Sequence, residues 1–169
     1  MTISVGNGPD KWSSFWLSII RITIGALWIK SGVQKVMDGE FTEKIEGTIA
    51  YLLSGDVPGW FLTLFETYIT PNAATWAQIV QWGEIVIGAL LIIGLFVNLA
   101  ALGGVFLNST FFFLASWSSP STWSLNLLLI IIQMVILLSS GSKALSVDKK
   151  LFRKRKFLRK VFLNKKNMY

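Results

Sequence analysis

The chain has no cysteine and no histidine. Disulfides, thiol redox chemistry, iron–sulfur ligation, His-ligated haem and ordinary zinc sites are therefore excluded on this chain. Any redox chemistry must use a bound organic carrier, a partner subunit, or both. Acidic side chains are also scarce, nine Asp and Glu against sixteen Lys and Arg, for a net charge of +7. Proline occurs only four times, at Pro9, Pro58, Pro71 and Pro120. These positions fall in the polar N-terminal stretch and at breaks between apolar segments, where proline interrupts least.

Apolar residues make up what is left. They are 53 % of the 169 residues, mean hydropathy is +0.57, and they cluster in long runs. That pattern belongs to one integral membrane domain rather than to a soluble one. Four spans are expected, at about 15–36, 75–100, 102–117 and 122–138, within a membrane domain of residues 1–142. The third is expected to carry a break near Gly103 and Gly104. No short apolar core with a small-residue cleavage site is present, so no removable signal peptide is expected. Between the first two spans, Ile45, Ile49, Leu52 and Leu53 recur at helical spacing and predict an amphipathic helix over 41–54. Trp60, Phe61, Leu64, Phe65, Tyr68 and Ile69 predict a second, aromatic piece suited to a membrane interface. The fold class is all-α: a four-helix membrane bundle with short interfacial helices between spans one and two.

Charge is uneven along the chain. From Lys143 onward eleven Lys or Arg face one Asp, giving +10, and the first 142 residues carry five basic and eight acidic groups, giving −3. The basic block follows the last apolar run directly, which points to anionic lipid and not to nucleic acid. Leu151, Leu158 and Phe162 share one face of it, with Lys and Arg between, so residues 143–169 predict a basic amphipathic helix on the membrane surface. The positive-inside rule makes this tail cytoplasmic, and four spans place the N-terminus there too, in a multi-pass plasma-membrane protein.

The spans are not uniformly apolar. Glu84 falls near the middle of the second, with Gln81 three residues before it and Gly88 four after, on one side of the helix. A carboxylate at that depth costs about 2.5 kcal/mol or more unless paired, hydrated or protonated. In the first span Arg21, Gly25, Trp28, Gly32 and Lys35 follow steps of four, three, four and three, forming one continuous face. Small residues there admit a close helix neighbour. Counting along the spans puts Glu84 level with Trp28, with Arg21 and Lys35 each about 10 Å away along the axis. Long side chains, a water or a ligand could close either gap, so neither pairing is decided by the sequence. A direct salt bridge is not required, and the space at Trp28 is expected to hold a ligand head group. Lys30, on nearly the opposite side of that helix, snorkels or meets a partner. Asn108 and Gln133 add polar groups at mid-membrane depth, with Asn126 further out. Each of these amides either ties helices together or lines a small polar cavity.

The run Arg21-Ile-Thr-Ile-Gly25-Ala-Leu-Trp-Ile-Lys-Ser-Gly32-Val-Gln-Lys35 has the form R-x3-G-x6-G-x2-K. Gly83-Glu84-Ile-Val-Ile-Gly88, followed by Gly94, has the form G-E-x3-G-x5-G. In that order, in a four-span chain of this length, the sequence resembles the DoxX/DoxD family of small membrane proteins. The long segment between the first two spans makes it more similar to DoxD, the membrane subunit of archaeal thiosulfate:quinone oxidoreductase. The resemblance implies oxidation of thiosulfate to tetrathionate with electrons passed to a membrane quinone. It also implies a DoxA-like second subunit and association with a terminal quinol oxidase. On that resemblance Glu84, Arg21 and Lys35 are the candidate catalytic residues. Trp28, Gln81, Asn108 and Gln133 would bind quinone or substrate, and Gly25, Gly32 and Gly88 would pack helices. Quinone is the expected electron acceptor, with no haem, metal or iron–sulfur ligands. Without a thiol, no persulfide or thiosulfonate intermediate forms on this chain. Two other functions fit the same residues: a non-catalytic accessory subunit of a quinol oxidase, and a small proton-coupled exporter. Repulsion from Arg21 and Lys35 counts against a cationic cargo for the latter.

Overall fold

A computed structural model describes residues 11–139 and 145–148. The described residues are helical, with no strand among them. Six α-helices follow in order: α1 (Lys11–Asp38), α2 (Phe41–Leu53), α3 (Gly59–Leu64), α4 (Ala73–Ile93), α5 (Val97–Ala115) and α6 (Pro120–Leu138). Four stretches are long and apolar enough to cross a membrane: Phe15–Asp38, Gly59–Ile93, Val97–Ala115 and Pro120–Leu138. The expected basic helix over 143–169 lies outside the described residues apart from 145–148.

Local chemistry sets the helix ends. Gly39, at φ 65°, stops α1 in the left-handed conformation that glycine adopts without strain. Ser119 caps α6, its hydroxyl accepting from the Thr122 N–H at 3.1 Å, and Pro120 takes the first-turn position where its missing N–H costs nothing. The second stretch is longer than predicted. It begins at Gly59 and runs through a π-helical turn (Phe65–Ile69) and a 3₁₀ turn (Thr70–Asn72) into α4. Pro71 explains the irregularity, because its ring cannot sit in a regular ladder and the backbone shifts register around it.

The break between the second and third spans is also relocated. The predicted second span, 75–100, ends at Ile93, and the third begins at Val97, not at 102. Gly94 (φ 74°) and Phe96 (φ 49°) make the turn, while Gly103 and Gly104 lie inside α5. Gly104 is retained there for space: a Cβ on it would collide with the Gln133 side chain of α6.

Packing divides the bundle into two tight pairs, α1 on α4 and α5 on α6. α4 joins the pairs through α5, while α1 and α6 touch only lightly. Ile24, Trp28, Leu91, Val97, Ala100, Ala101 and Ile136 form the apolar core of the four long helices. A second cluster, Ile49, Phe61, Phe65, Ala73 and Leu114, seats α2 and α3 against one end. Large apolar side chains such as Trp82, Val86, Phe106 and Leu128 face outward, as lipid contact requires.

Candidate functional site

Glycine fixes how α1 meets α4. A Cβ on Gly25 would come within 2.8 Å of the Gly88 carbonyl oxygen, and one on Gly32 within 2.8 Å of the Gln81 oxygen. Backbone therefore lies on backbone, and the antiparallel pair cannot slide by a turn without losing both contacts. In this register Glu84 lies level with the Ile29–Gly32 turn and not with Trp28. The four-residue rise from there to Lys35 is about 6 Å. Lysine side chains on a helix lean toward its N-terminus, so Lys35 leans back across that gap.

The result is a direct ion pair. Lys35 Nζ donates to both carboxylate oxygens of Glu84, at 2.7 and 2.9 Å, and to Ser31 Oγ at 2.7 Å. All three ammonium donors are engaged. Of the two pairings the sequence left open, the structure makes the one to Lys35. Counting along the spans had put Glu84 level with Trp28, and the glycine contacts set the register instead. Glu84 is fully buried, while Lys35 keeps 22 % of its side chain exposed and has the Phe41 ring 5.8 Å away. The pair thus has a dry end and a water-facing end.

A cavity of about 180 Å³ adjoins the dry end. Trp28 and Ser31 of α1, Glu84 of α4, Asn108 and Phe111 of α5, and Asn126 of α6 are among its walls. Lys35 is not in the wall and reaches the cavity through Glu84 and Ser31, which are. Asn126 is internally satisfied, donating to the Thr122 carbonyl at 3.0 Å. Asn108, 3 % exposed, has an amide nitrogen with no hydrogen-bond partner among the described residues. Gln133 is fully buried between α5 and α6, its amide and the Trp28 indole nitrogen both close over Gly104. Neither polar atom of the Gln133 side chain has a partner among the described residues. Buried amides left open in this way cost about 1–3 kcal/mol each, which marks a place for water or a ligand.

Gln133 is not among the cavity's lining residues, and two further predicted site residues lie away from it. Gln81 is buried under Gly32 at the α1–α4 contact and is not among the cavity's lining residues. Arg21 is ten residues from Ser31, about 15 Å along α1. It is fully buried beside Gly94, and its Nη2 donates to the Leu145 carbonyl at 2.8 Å. The charge of Asp148 acts on it there. Arg21 thus lies farther from Glu84 than the roughly 10 Å expected and has no place in the cavity wall: the periodic face of α1 is real, but its two cations lie on opposite sides of the Gly25–Gly88 crossing. Lys30 is exposed on the far side of α1.

Ser31, Phe111 and Asp148 were not singled out from the sequence. Ser31 was available in principle, since it lies three residues after Trp28 and four before Lys35. Asp148 was not, because its partners are remote in sequence. Its two carboxylate oxygens accept from the N–H groups of Phe96 (2.8 Å) and Val97 (3.1 Å), capping α5 from outside the helix.

A buried Lys–Glu pair behind a glycine-packed helix crossing, in a four-span chain, is the arrangement against which known families can be set. Residues 16–168 match the family described as TQO small subunit DoxD. The chain belongs to the DoxD family. Comparison with curated proteins and with solved structures finds no match. As a member of DoxD with four helices of spanning length, it is a multi-pass membrane protein.

Proposed function

We propose that this DoxD chain is the quinone-handling small subunit of a thiosulfate:quinone oxidoreductase. The observation that carries the reading is the buried carboxylate of Glu84, tied by both oxygens to Lys35 and set in the wall of a cavity. An apolar cavity of about 150 Å³ accepts a benzene ring. A cavity of about 180 Å³ has room for one six-membered ring. Ring walls from Trp28 and Phe111 match a quinone's flat face, and the open Asn108 amide N–H matches a carbonyl oxygen.

The balanced reaction is two thiosulfate plus quinone plus two protons, giving tetrathionate plus quinol. The chain's part is to supply protons and to hold charge. The Lys35 ammonium is the acid, and Glu84 keeps it charged in a low-dielectric setting. As negative charge develops on a quinone oxygen in the cavity, a proton passes from the pair through Glu84 or Ser31. The exposed end of Lys35 recovers it from water.

Thiosulfate oxidation is assigned to the DoxA-like partner. A dianion needs cationic donors. The segment between α1 and α4 is acidic, and its Lys35 and Lys44 neighbours are each bound to a carboxylate, Glu84 and Glu40. The basic tail places both termini on the cytoplasmic side of the plasma membrane, in contact with anionic lipid and within reach of a terminal quinol oxidase.

The test is thiosulfate-dependent reduction of a short-tailed quinone analogue by the purified protein together with its partner. Glu84→Gln is expected to lower turnover at least tenfold while the analogue still binds. Equal turnover in wild type and Glu84→Gln would refute the proton-handling role.

A further inference from the structure

The cavity's polar lining residues, Glu84, Ser31, Asn108 and Asn126, come from all four long helices, and Glu84, Asn108 and Asn126 are buried. Its remaining walls include Leu27 on α1 and Leu129 on α6, the two helices that scarcely touch. Leu27 is half exposed on the bundle's outer surface, and Leu125 and Leu128 of α6 are exposed beside Leu129. Elsewhere the bundle is closed by the tight α1–α4 and α5–α6 pairs and by the α4–α5 contact. The thin seam therefore faces hydrocarbon, and the groups beyond it are ones that lipid cannot satisfy.

The geometry points to a lateral portal between α1 and α6, with Leu27 and Leu129 as its posts. Through it a ligand dissolved in the bilayer, with a flat ring head and an apolar tail, enters sideways. This rests on the quinone reading and adds the route. The head group passes the leucines and meets Asn108 and Glu84, while the tail stays in the seam, so a cavity sized for one ring serves a long-tailed molecule. Water is held off on this side, and Lys35 meets it at the other end of the ion pair. The ligand and the proton thus arrive from different directions.

The absence of cysteine makes the test clean. Single variants Leu27→Cys and Leu129→Cys, and Leu102→Cys on the outward face of α5 as control, are labelled with a bulky maleimide in nanodiscs. The measurement is the association rate of a radiolabelled decyl-quinone. Labelling at 27 or 129 is expected to slow association at least tenfold, and labelling at 102 to leave it unchanged. Equal rates at all three positions would overturn the portal while leaving the quinone site standing. No saturable binding to the unlabelled protein would overturn both. A spin-labelled phospholipid held at the seam and not displaced by the quinone would also overturn the portal, because the slot would then be a lipid site.

Discussion

Replacing Lys35 by methionine leaves the Glu84 carboxylate fully buried with its only ion-pair partner among the described residues removed. Methionine keeps the length and apolar stem, so packing on α4 changes little. Breaking a buried pair from one side costs about 3–5 kcal/mol, because the remaining charge stays desolvated. Lys35 retains 22 % side-chain exposure, so the lower end applies, about 3 kcal/mol. For a chain of this size that is roughly a 6–12 °C fall in melting temperature. Glu84→Leu is expected to be milder, about 1 kcal/mol, since Lys35 keeps Ser31 and can turn toward water. The double variant Lys35→Met/Glu84→Leu should sit within about 1 kcal/mol of wild type, because an apolar pair of similar volume substitutes well for a buried ion pair. Thermal unfolding of all four proteins in one detergent, followed by tryptophan fluorescence, completes the cycle. If Lys35→Met costs under about 1 kcal/mol, or if the double variant equals the sum of the singles, then the pair does not hold Glu84 in the way described.

Gly88→Ala should destabilise the protein by about 1–3 kcal/mol in the same assay, because the added methyl would lie 2.5 Å from the Gly25 carbonyl oxygen, which is backbone and cannot turn aside. Gln133→Leu removes two open polar atoms and should raise stability by about 1 kcal/mol; a loss of stability would show that the amide has a partner in the folded protein.

Much of this site was visible in the sequence, because helical periodicity alone places residues on a face. The Glu84–Gly88 side of α4 and the Gly25–Gly32 side of α1 do pack together, as their small and polar residues required. Register was not visible. It depends on which carbonyl each glycine admits, and the shift placed Lys35 against Glu84 while Arg21 went to the other end. The helix break was misplaced for a related reason. A Gly-Gly pair reads as a stronger interruption than a lone glycine, yet Gly104 serves packing and Gly94 makes the turn. Asp148 had no local signal at all. Its effect is to supply a cap from 51 residues beyond the Val97 N–H it binds.

That remote cap bears on how the protein is made. Arg21 lies in α1, and the carbonyl it binds belongs to a residue 124 positions later. The start of α5 likewise waits for Asp148, and Ser146 adds a bond to the Gly94 carbonyl. All four spans can enter the membrane before this knot of contacts is tied. Tying it joins the first helix, the α4–α5 turn and the segment after α6. Closing the bundle can therefore follow insertion, and a nascent chain ending before residue 148 would carry all four described spans yet lack the clasp that closes them.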